Sequence, residues 1–167
     1  MNAKSTARIV PAIAGMLLLS VTVAGDEGKL DWKVLTGAKI SLDQGLAAAE
    51  RQGKPISGKF EMEDGHLQLS IYTDKNGKLS EVIVDHMTGK VSKSEELKGD
   101  DLSAGKAQSE SMAKAKTSLR SAAQKAVTAN PGYRGVSVVP SVKDGKPVAT
   151  VVLQNATDTK TVSENLD

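Results

Sequence analysis

The feature that most restricts how this chain can fold is an internal recurrence. Ser41-Leu42-Asp43-Gln44-Gly45-Leu46-Ala47-Ala48-Ala49-Glu50 returns as Ser118-Leu119-Arg120-Ser121-Ala122-Ala123-Gln124-Lys125-Ala126-Val127, at an offset of 77 (118 less 41). Each stretch runs into a glycine-bearing break, Gln52-Gly53-Lys54-Pro55 or Asn130-Pro131-Gly132. Each break leads into residues of alternating polarity around an Asp-Gly pair, Asp64-Gly65 or Asp144-Gly145. Self-similarity of this kind signals a repeated supersecondary unit. The expected fold class is α+β: two similar units, each a helix packed on its own small antiparallel sheet. They are placed at 26–98 and 115–167, with 99–114 as a linker or an extension of the second helix.

Local signals support these elements. Ser41 with Gln44 three residues on forms a capping box, which satisfies N–H groups otherwise orphaned at a helix start. Leu42, Gly45, Leu46 and Ala49 then share one face at the helical period, as do Leu119, Ala122, Ala123, Ala126 and Val127. Period-two alternation marks strands: Ile56, Gly58, Phe60 and Met62, then Leu67, Leu69 and Ile71, then Leu79 to Val84. In the second unit Val136–Val139 and Val148–Leu153 read as strands, with Thr161-Val162 as a terminal one. Residues 92–106, rich in Ser, Lys, Glu, Gly and Asp, read as a polar connection. One-sided alternation fits an antiparallel sheet with one face covered by a helix and the other partly wet.

The first 25 residues read as a secretory leader. Lys4 and Arg8 supply its positive end, Ile9 to Leu19 the apolar stretch, and Val21-Thr22-Val23-Ala24-Gly25 small residues for cleavage. The stretch is short for a membrane span and is interrupted by Pro11 and Gly15. This places the mature chain in the periplasm or outside the cell, with no stable membrane span. Removing Lys4 and Arg8 from the 22 basic residues leaves 20 against 20 acidic ones, so the mature chain carries no polyanion footprint. Aromatics make up only 2% (Trp32, Phe60, Tyr72, Tyr133), too few for a base-stacking platform, and nucleic acid is not an expected partner. Cysteine is absent and there are two histidines, His66 and His86. Disulfides, thiolate chemistry and His-rich zinc sites are thereby excluded.

The run Gly77-Lys78-Leu79-Ser80-Glu81-Val82-Ile83-Val84-Asp85-His86-Met87-Thr88-Gly89-Lys90-Val91, preceded by the helix signals at Ile40-Ser41-Leu42 and Ala47-Ala48-Ala49 and by Gly53, resembles a PepSY domain. The hallmark is V-D-x-x-T-G-K-V, here Val84, Asp85, Thr88, Gly89, Lys90 and Val91. The resemblance covers about residues 38–93. Over 115–167 it is weaker: the helix and the Asn-Pro-Gly break agree, and no second octapeptide occurs. It implies a helix on an antiparallel sheet in a PepSY or cystatin-like arrangement. It also implies a role in restraining or assisting peptidases, because such domains occur in propeptides of secreted metallopeptidases and as stand-alone exported proteins. The octapeptide itself reads as structural: Asp85 accepts hydrogen bonds from turn N–H groups and Gly89 takes φ > 0.

Glu61, Glu63, Asp64 and His66 crowd the first hairpin. Such a set can hold a hard cation, which wants several oxygen ligands, but the EF-hand spacing is missing and a solvated turn explains it as well. Tyr72 is a candidate partner contact on the open sheet face. No GxSxG, HExxH, P-loop or GxGxxG occurs, so neither catalytic residues nor a cofactor are expected. The sequence predicts a non-catalytic exported module that binds an exported peptidase or another envelope protein. The alternative is a periplasmic metal-ion-binding protein using the acidic turn residues.

Overall fold

The structure is a computed structural model that describes residues 29–167; the leader expected at 1–25 lies outside the described residues. The chain order begins with helices α1 (Trp32–Gly37) and α2 (Leu42–Ala49), followed by strands β1 (Lys54–Glu63), β2 (His66–Lys75), β3 (Lys78–Val84) and β4 (Val91–Glu96). Helices α3 (Gly99–Ala113) and α4 (Leu119–Thr128) come next, then strands β5 (Arg134–Lys143), β6 (Lys146–Gln154) and β7 (Thr159–Asn165).

The local signals act where they were read. The Ser41 N–H donates to Gln44 Oε1 at 2.9 Å, and α2 buries Leu42, Gly45, Leu46 and Ala49. Ser118 Oγ accepts the Ser121 N–H at 3.1 Å, and α4 buries Leu119, Ala122, Ala123 and Ala126. The pairs Asp64-Gly65 (φ 49° and 79°) and Asp144-Gly145 (φ 52° and 78°) have positive φ at both central residues. That is the requirement of a two-residue type I′ hairpin, whose twist matches the flanking strands.

The two-unit expectation is corrected by the sheet. All seven strands form one antiparallel sheet in the order β4-β3-β2-β1-β5-β6-β7. The first strands of the two meanders, β1 and β5, pair through Gly58–Val138 and Lys59–Ser137, so neither half has a sheet of its own. The physical reason lies in the edges. A separate first meander would expose β1, and a separate second one β5, as apolar strands with a row of unpaired N–H and C=O groups. Pairing them removes both edges at once and leaves the polar β4 and β7 outermost. Buried side chains from α2, α4 and both meanders accordingly form a single cluster, among them Leu46, Ile71, Val82, Val138, Val151 and Leu153.

Both faces of the sheet carry helices. A Cβ on Gly58 would meet Leu42 and Leu46, and one on Gly135 would meet Leu42 and Val127, which places α2 and α4 side by side over the centre of one face. On the opposite face α3 crosses the strands. Gln108 accepts from Ser57 Oγ at 2.8 Å, Asp101 accepts from the Tyr72 hydroxyl at 2.7 Å, and a Cβ on Gly105 would come within 2.7 Å of Leu97. Residues 99–113 are therefore a helix in their own right, separated from α4 by 114–118. The segment before α2 is tied to the second meander: Gln154 Nε2 donates to the Leu30 carbonyl at 2.6 Å, and Arg134 donates to the Ala38 and Ile40 carbonyls, each at 3.2 Å. Among the described residues no helix is long and apolar enough to cross a membrane.

Candidate functional site

The octapeptide Val84–Val91 builds the β3–β4 connection. Val84 closes β3 opposite Leu69 and pairs with Val91 on the other side. Asp85 Oδ1 accepts the N–H groups of Met87 and Thr88, each at 2.8 Å. The Asp85 N–H donates to the Lys90 carbonyl at 2.8 Å, and the Gly89 N–H donates to the Asp85 carbonyl at 2.7 Å. Gly89 sits at φ 73°, where a side chain would strain the backbone, and a Cβ there would also come 3.4 Å from Ile40. The His86 carbonyl accepts from the Lys39 and Ile40 N–H groups, so the turn is docked on the connection between α1 and α2.

The backbone N–H groups of Thr88 and then Met87 hold the Asp85 carboxyl below the usual carboxylate range. Because the native group titrates lower than the unfolded one, its contribution to stability is present above about pH 4 and is lost as pH falls through the lowered native value. Asp85→Asn keeps an acceptor oxygen and removes the titration. In urea unfolding between pH 7 and pH 2, the decline on acidification is expected to be shallower for this variant than for the parent protein. Equal slopes would remove Asp85 from the acid sensitivity.

The acidic residues of the first hairpin do not converge. Glu61 is ion-paired with Lys59 at 2.6 Å, Glu63 opposes His66 in the last pair of the ladder, and Asp64 lies in the turn itself. Among the described residues, no group of three or more His, Asp or Glu side chains is placed to hold a metal ion. Tyr72 is on the predicted face but is half-buried beneath the first turn of α3, where its hydroxyl donates to Asp101. Burial, and then the Asp101 carboxylate, push its phenol far above the ordinary value. Tyr72 thus anchors α3 instead of standing free.

Two hollows were not legible in the sequence. An open groove of about 450 Å³ runs between the end of β4 and the start of α3, lined by Glu81, Glu95, Glu96, Leu97, Lys98 and Asp101. Its carboxylates come from three consecutive elements, β3, β4 and α3, and meet only because β4 folds back on β3 and α3 turns over the sheet. Glu81 accepts a hydrogen bond from Ser70, and Asp101 accepts one from Tyr72. The second, of about 220 Å³, lies between α2 and α4 beside Arg134, whose guanidinium is committed to the Ala38 and Ile40 carbonyls. Among the described residues, the large apolar side chains that are exposed are Met62 (44%), Met87 (49%), Val139 (39%) and Val142 (41%). Met62 and Met87 belong to the same end of the sheet, because β1 and β3 run in the same direction and both end there.

Comparison with protein-family models, curated proteins and solved structures finds no match to the chain.

Proposed function

We propose that the chain is a non-catalytic, exported protein-binding module that modulates peptidases. The observation that carries the binding part is the projecting end of the sheet. β3 stops at Val84 opposite Leu69, whereas the β1–β2 ladder continues to Glu63–His66, so the hairpin extends beyond its neighbour. Its side presents Met62, and the adjoining β3–β4 turn presents Met87. Methionine is adaptable in shape and recurs at binding surfaces. A hairpin closed by a rigid two-residue turn loses little conformational freedom when it enters a cleft, which favours binding. Export rests on the pattern of residues 1–25, and the choice of a peptidase as partner rests on the PepSY-like octapeptide.

Incubating the purified protein with the peptidases exported by the cell that makes it is expected to change the rate of at least one. Replacing both Met62 and Met87 by Asp should weaken that effect by about tenfold or more, the loss of a single interface anchor. Both side chains are exposed, so the circular dichroism spectrum should not change. A full set of unaltered peptidase rates, or an undiminished effect of the double variant, overturns the reading.

A further inference from the structure

We infer that two copies of this chain join edge to edge through β4, in the antiparallel register that sets Ser94 opposite itself. β4 is the last strand on one side of the sheet, and Ser92 to Glu96 are all exposed. The Leu97 N–H donates to the Leu79 carbonyl at 3.0 Å, which sets the parity of the β3–β4 ladder. Counting back by twos, Glu95 and Lys93 turn their backbone groups toward Glu81 and Ile83 of β3. Ser94, between them, turns its N–H and C=O outward. Two copies brought together at Ser94 therefore exchange a reciprocal pair of backbone hydrogen bonds without disturbing the existing sheet.

The charges select this register. Lys93 and Glu95 lie on one face of β4, 2.9 Å apart. With Ser94 opposite itself, Lys93 faces the partner's Glu95 and Glu95 faces the partner's Lys93, in closely spaced non-hydrogen-bonded pairs. Centring the pairing on Glu96, the next outward position, would set that carboxylate against itself. Lysine on an edge strand ordinarily discourages pairing, but here each lysine meets a glutamate when the second strand is another β4. The opposite edge does not offer this. On β7, Lys160 donates to Asn130, just past α4, at 2.6 Å and Glu164 is ion-paired with Lys125 of α4 at 2.7 Å, so α4 and the turn after it already engage both charges. Beyond Lys98, α3 leads away from the β4 edge and packs over β3, β2, β1 and β5.

Sedimentation velocity on the purified protein at low ionic strength is expected to show a concentration-dependent dimer that salt weakens. Lys93→Glu and Glu95→Lys, each alone, should raise the dissociation constant by about tenfold or more, and mixing the two variants should restore a heterodimer. Ser94→Pro, which removes an outward N–H and none of the bonds to β3, should weaken association likewise. A protein that stays monomeric up to about 1 mM, the weak end of specific association, overturns the inference. So does a dimer that the single substitutions leave unchanged, or a variant mixture that remains monomeric.

Discussion

Leu46→Ala is expected to lower the unfolding free energy by about 3 kcal/mol and to do so for the whole molecule in one step. Leu46 is 0% exposed on α2, which packs on β1, β2, β3, β5 and α4. Removing most of its side chain forfeits the burial of those carbons and leaves a cavity in rigid surroundings, since Leu42, Ile71 and Gly58 around it are themselves buried. The cooperative part of the prediction follows from the common core. Trp32, the one tryptophan, belongs to the segment that Gln154 and Arg134 hold against the second meander. Its fluorescence and the far-UV circular dichroism should therefore change together in urea, in the parent protein and in the variant alike. Two separated transitions, or a variant in which one half stays folded, would show that β1 and β5 do not unite the halves.

The contrast between what could be read in advance and what could not has a physical pattern. The segments α2 and α4 announce themselves because each combines a capping residue with a small, regularly spaced apolar face. The Asp-Gly turns announce themselves because two consecutive positive φ values are affordable for few residue pairs. β4 escaped notice because an edge strand wet on both faces has no alternation: Val91 is half-buried and the next five residues are exposed. The segment of α3 reads only as a linker or an extension of the second helix for a related reason. It buries only Gly105, Ser111 and Met112 across fifteen residues, so its polar composition reads as a connection. The bulge in β1 also broke the expected face. Ile56 is the extra residue between Pro55 and Ser57, and it points toward Gly105 of α3, whereas Gly58 lies beneath α2. A matching bulge between Gly135 and Ser137 gives Val136 the same position in β5, 80 residues on (136 less 56). The seam was the least legible element. Two apolar strands that begin separate meanders look the same whether each ends a sheet or both meet at its centre.

That seam gives the sharpest test of the architecture. Gly58 pairs with Ile71 on one side and with Val138 on the other, directly under α2. A Cβ at this position would lie 2.7 Å from Ile71 Cδ1, 3.1 Å from Leu46 Cδ2 and 3.5 Å from Leu42 Cδ1. Gly58→Ala demands only that the ends of two side chains give way by tenths of an ångström, and a loss of about 1 kcal/mol is expected, the mild end of overpacking. Gly58→Leu adds three further carbons where Ile71 and Leu46 are 0% exposed and Leu42 is 2% exposed, so none of the three has solvent to retreat into. The helix must lift from the sheet or the β1–β5 pairing must open, at a cost of about 3 kcal/mol or more. Urea midpoints should therefore fall in the order parent, Gly58→Ala, Gly58→Leu, with the leucine variant losing protection of the Val138 amide, which faces Gly58 across the seam, in hydrogen exchange. A leucine variant as stable as its parent would mean that α2 does not rest on the junction of the two meanders.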